Sequence, residues 1–178
     1  TKIGNYAFHG TTLSGALIIP DDCVEIGDSA FYQTNISSLD LSLKLRSIEV
    51  GAFRGCQSLA GSLVLPESLE SIGSEAFIQC GMLSGNLVLP SKLTTIPTGC
   101  FTSCGFTGDL VIPESVTAIG RSAFYECTSL TSVVIPESVT EIGDYAFLGC
   151  TSLTSVVIPD SVTEIGEKAF SECTSLTS

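Results

Sequence analysis

A chain of 178 residues with 19 acidic and 7 basic side chains carries a formal charge of −12. That balance argues against a nucleic-acid binder, because phosphate recognition needs a basic face. The longest apolar run lies around residues 16–19 and is far too short to cross a bilayer, so direct membrane insertion is not expected. At 44% hydrophobic and 15% charged, the chain is too apolar to be disordered and can bury a sizeable core.

A repeat organises everything that follows. Phenylalanine recurs at positions 8, 31, 53, 77, 101, 124, 147 and 170, at spacings of 22 to 24 residues. Five residues before each stands an isoleucine, from Ile3 to Ile165, and three residues after six of them stands a cysteine (Cys56, Cys80, Cys104, Cys127, Cys150 and Cys173). Thr11 and Thr34 fill that place in the first two units. Pro20, Pro66, Pro90, Pro113, Pro136 and Pro159 form another column, broken by Ser42.

Within one unit the elements come in a fixed order. Val133 and Ile135, at period two, predict a short strand ended by Pro136, which cannot donate to a ladder. Val139 to Ile142 predicts a second extended piece, ended by Gly143. Asn5, Asp28, Ser74, Thr98 and Asp144 then share a column just before the Ala-Phe pair; these are helix-capping types and predict a single helical or 3₁₀ turn. Such a unit cannot bury its apolar face alone, so the units must stack. The reading is one array of about eight coils spanning 1–178, without a linker. Both ends fall in mid-repeat, as expected of a fragment of a longer protein.

The pattern Cys-x-x-Leu-x-x-Val-x-Ile-Pro-x-x-Val-x-x-Ile-Gly-x-x-Ala-Phe resembles the leucine-rich repeat of the BspA-like (Treponema pallidum type) class, over essentially the whole chain. The resemblance implies a leucine-rich-repeat solenoid of stacked coils with short parallel strands. It also implies surface or secreted proteins, some of which bind host matrix proteins or other cells. Ser42 and Glu49 depart from the pattern in the third unit, as do Pro97 and Cys100 in the fifth. Gly15, Gly61, Gly85 and Gly108 precede the first strand of four units and predict a locally different bend there.

Chemistry-bearing residues are few. Cysteines in one column point the same way rather than at each other, so all eight thiols are expected to be free, buried and reduced. Cys100 and Cys104, with Cys80 and Cys127 on adjoining coils, could form a four-thiolate zinc site, but they lack the usual C-x-x-C spacing, and no metal or cofactor is expected. His9 is the sole histidine, in a variable and exposed column, so no catalytic constellation can be assembled and no enzyme is expected. Glu67, Glu114, Glu137 and Asp160, with Asp21, form an acidic edge just after the proline column. It reads first as a solvating face, and secondarily as a site for a basic partner or calcium.

One column stands out. Strand alternation places Ile18, Asp40, Val64, Val88, Val111, Val134 and Val157 on the exposed face of the first strand, bordered by small polar residues. An apolar stripe with a polar border is how a binding face looks. The expectation is therefore a non-enzymatic protein-interaction module, the repeat region of a cell-surface or secreted adhesin-like protein that binds an extracellular-matrix or cell-surface protein. The alternative is a scaffold subunit inside an intracellular or organellar assembly.

Overall fold

Segments of each repeat bond to their counterparts one repeat on, on two or three faces, and this stacks the chain into a parallel solenoid. The computed structural model describes residues 1–177. Coils are numbered here by their phenylalanines, Phe8 in the first and Phe170 in the eighth. On the first face, Ser14–Ile18 pairs with Asn35–Asp40, Leu63–Val64 with Leu87–Val88, and Leu130–Val134 with both Gly108–Val111 and Ser155–Val157. The second face consists of two-residue strands at the isoleucine column, such as Glu141–Ile142 on Ala118–Ile119. Every pairing is parallel.

The third face corrects the expectation of a helical turn: no α or 3₁₀ helix occurs among the described residues. Overlapping β-turns replace it. In the seventh coil the amides of Ala146, Leu148 and Cys150 donate three residues back, to Gly143, Tyr145 and Phe147. The intervening amides of Tyr145, Phe147 and Gly149 donate instead to Glu167, Ala169 and Ser171 of the next coil, at 2.8–2.9 Å. A helix would need consecutive amides turned inward, and here every second one is committed to a neighbour. The same three inter-coil bonds occur at all seven junctions.

This geometry forces left-handed backbone. The residues two before and two after each phenylalanine all have positive φ, as the third position of a type II turn requires. Eleven of them are not glycine, including Tyr145 (φ 58°), Ser122 (54°) and Glu126 (55°). None is β-branched, which fits the steric penalty that Val, Ile or Thr meets there.

The capping column also has a different job. Asp28 N–H donates to Asn5 Oδ1 at 2.9 Å, and Glu167 N–H to Asp144 Oδ1 at 2.7 Å. These side chains stitch one coil to the next instead of capping a local helix. A short polar side chain before a turn can do either, and the alternating amides decide.

Inside, the phenylalanines of coils two to seven are almost completely buried. They form a near-parallel stack with centroids 5.1–5.9 Å apart, widest between Phe77 and Phe101. The departures from the repeat concentrate there. Pro97 has no N–H to offer Ile72 O, the bond that Gly73 makes to Ile48 O (2.7 Å) and Gly120 to Ile96 O (2.7 Å). The second face is accordingly interrupted between Ser71–Ile72 and Thr95–Ile96. Ser42 replaces a proline without harm, because its hydroxyl donates to Asp21 O and accepts from Lys44 N–H. The expected bend is present at three of the four glycines: Gly15, Gly61 and Gly108 have positive φ and Gly85 does not, and bulges fall at Gly15/Ala16 and Gly108/Asp109.

Two stability outcomes follow from this packing. Phe124→Ala or Phe147→Ala should cost about 3–5 kcal/mol, and hydrogen exchange should rise mainly in the mutated coil and its neighbours. A neutral substitution would mean that the phenylalanine column is not core. At Ser122, whose side chain has no hydrogen-bond partner, glycine should be neutral or stabilising by up to about 1 kcal/mol. Valine at the same position should destabilise by at least about 1–2 kcal/mol. Denaturant unfolding of the pair reads this directly, and equal midpoints would refute the turn assignment.

Candidate interaction face

Strand alternation puts Leu63, Leu65, Val133 and Ile135 into the core and leaves the residues between them outside. Ile18, Val64, Val88, Val111, Val134 and Val157 are all exposed, from 44% at Val88 to 77% at Val157. Register brings Val111, Val134 and Val157 side by side, and Val64 beside Val88; Ile18 pairs with exposed Asp40. The polar border is in place: Ser38, Ser62, Asn86 and Asp109 are exposed, while Ser132 and Ser155 are half-buried. A groove of about 630 Å³ lies on this stripe between Val88 and Val111. The sequence signalled the stripe and not the groove.

The acidic edge runs alongside. Glu67, Glu114, Glu137 and Asp160 are exposed, so they form a row rather than a pocket. Glu67 differs from the others, because Ser91 N–H (3.1 Å) and Ser91 Oγ (2.7 Å) both donate to its carboxylate. Those bonds hold its carboxyl below the usual range. The serine after each acid was missed in the sequence. Ser68, Ser115, Ser138 and Ser161 donate to carbonyls of the preceding coil at 2.7–2.9 Å. Their regular Pro-acid-Ser spacing was the available signal.

All eight cysteines are buried and free. Six thiols donate to the phenylalanine carbonyl of the preceding coil, as Cys127 does to Phe101 O and Cys150 to Phe124 O, both at 3.2 Å. Cys23 lies in the core, its thiol on Glu25 O. Among the described residues no group of three His, Cys, Asp or Glu is arranged to hold a metal ion. His9 is exposed and stacks on Tyr32 at 4.5 Å, with Arg54 over the far side of that ring's column. No helix among the described residues is long and apolar enough to cross a membrane.

Burial raises the thiol pKa values, with Cys127 pushed up to about 12. An unfolded thiol ionises near 8.5, so between those values the folded chain keeps a proton that the unfolded chain releases. The thiol contribution to stability should therefore be constant below about pH 8.5 and fall as the pH rises toward 12. Cys127→Ala should flatten that slope by up to one proton, about 1.4 kcal/mol per pH unit. Iodoacetamide at pH 8 should label few thiols in the native chain and close to eight after denaturation. Extensive native labelling would overturn the buried-thiol assignment.

Comparison with known proteins places this architecture. The family model for the BspA-type leucine-rich repeat region matches residues 1–107 and 94–178. No curated protein matches the chain. Among solved structures, the chain is similar to a leucine-rich-repeat protein of Treponema pallidum, with 35% identity and a TM-score of 0.82 over 91% of this chain and 78% of that one. A leucine-rich-repeat protein of Bacteroides ovatus is 27% identical, with a TM-score of 0.77 over 99% of this chain and 57% of its own. The pneumococcal vaccine antigen PcpA, 19% identical with a TM-score of 0.58 over 99% of this chain and 62% of its own, shares the fold. Leucine-rich repeats of this kind are a non-enzymatic fold that typically mediates protein–protein interaction. With the model matched end to end and the 35% identical relative covered over most of its length, the chain belongs to the BspA-type leucine-rich repeat family.

Proposed function

We propose that the chain is the interaction region of an adhesin-like protein, and that its protein partner lies across the first face, on Val64, Val88, Val111, Val134 and Val157, with Ile18 at one end. The observation that carries this reading is the coincidence of an exposed aliphatic stripe with a groove of about 630 Å³. Water-facing valines on five coils stand outside the core, and burying them would contribute several kcal/mol at about 25 cal/mol per Å², before the cost of association. Asp40 interrupts the stripe, so contact weakens toward the amino-terminal coils. A cell-surface or secreted setting, with a matrix or cell-surface protein as partner, belongs to the same reading and is supported by the family resemblance alone.

The test replaces Val88, Val111 and Val134 together by Thr, which keeps the β-branched shape and the strand. Against a partner identified by crosslinking, the triple variant should bind at least tenfold more weakly with unchanged thermal stability. Binding equal to the parent would rule out the sheet face and leave Glu67, Glu114, Glu137 and Asp160 as the site. Protease shaving of intact cells making the full-length protein tests the location, and a chain cut only after lysis would refute it.

A further inference from the structure

The groove lies where a ladder stops. One junction before it, Leu63 N–H donates to Asn86 O at 2.9 Å and Leu65 N–H to Val88 O at 3.1 Å. One junction after it, Ile112 N–H donates to Val134 O at 3.1 Å. Between Leu87–Val88 and Gly108–Val111 no ladder forms, and Leu89 N–H donates to no carbonyl of the sixth coil. The groove beside that gap measures about 630 Å³.

The side chains around this gap are of two kinds. Val88, Val111 and Leu89 supply apolar walls, and Glu67 and Asp109 supply two carboxylates. Ser91 fixes the first carboxylate, as described, and Ser132 Oγ donates to Asp109 Oδ1 at 2.6 Å. No Lys or Arg lines the groove, on a chain whose net charge is −12. A cationic group on an apolar stem complements both kinds of wall.

Building on the reading of the valine face as the docking surface, we propose that the junction of the fifth and sixth coils binds an extended peptide segment that pairs an aliphatic side chain with a neighbouring Lys or Arg. The aliphatic group sits against Val88 and Val111. The cation reaches Glu67 and Asp109.

A random twelve-residue peptide library displayed on phage and panned against the chain tests this without assuming a sequence. Recovered peptides should carry a basic residue beside an aliphatic one, and their affinity should fall as salt rises. Measured by fluorescence anisotropy, binding should weaken at least tenfold in Glu67→Gln/Asp109→Asn and in Val88→Thr/Val111→Thr. It should be unchanged in Glu114→Gln/Glu137→Gln. In hydrogen exchange of the free chain, the Leu89 amide should exchange faster than those of Leu65 and Ile112, and bound peptide should slow it. Recovery of no binders, or of binders without basic residues, overturns the proposal. Peptides that lose affinity to the valine pair and not to the acid pair overturn the basic specificity while leaving the face standing. Peptides indifferent to both pairs overturn the face as well. Equal loss in the Glu114/Glu137 control reduces the effect to general attraction by an acidic surface and also overturns it.

Discussion

Alternating allegiance of the backbone amides at the turn face is what the rest of this molecule hangs on. Every second N–H closes a local turn, and every other one reaches the next coil, three times per junction. The strands on the other two faces are mostly two residues long, and their ladders lapse at three junctions in the middle of the array. The turn face lapses at none. Directly beneath it lies the phenylalanine stack, so the most continuous hydrogen bonding and the largest buried side chains reinforce one another along one line. Left-handed residues flanking each phenylalanine are the cost of that arrangement. Each coil repeats it, which is why spacings of 22 to 24 residues are tolerated elsewhere in the unit while the distance from isoleucine to phenylalanine never varies.

Much of this was legible in the sequence because burial is periodic. The Phe, Ile, Cys and Pro columns needed only counting, and period two around Val133 and Ile135 separated the core from the outward valines. The turn itself was misread. Asn5, Asp28 and Asp144 have the chemistry of helix caps, and a single unit cannot show that their carboxylate or amide oxygen will face a neighbouring coil's N–H. The positive φ values were also hidden, since Tyr, Glu and Gln give no hint of them. What signal existed was negative: no Val, Ile or Thr enters those two columns, and five glycines do.

The candidate site divides along the same line. Its apolar stripe is a property of each repeat and could be read from any one of them. Its groove is a property of a junction, lying where no ladder forms between two particular coils, and no single repeat encodes that. Pro97 and Gly108 were recognisable as departures from the pattern. Only the stacked coils reveal that departures on different faces fall at consecutive junctions, and that one of them lies at the centre of the stripe.

The unequal bonding of the junctions also has a mechanical meaning. Tension applied along the axis loads all junctions in series, so the array yields at those with fewest bonds. At the third-to-fourth, fourth-to-fifth and fifth-to-sixth junctions one face is unladdered, and the load passes through the two that remain. Rupture there would leave two end blocks, the first three coils and the last three, each still stacked within itself. A chain tethered at both ends would thus lengthen first at its middle, where the groove lies, and single-molecule pulling would record that as an early, partial extension before the blocks unravel.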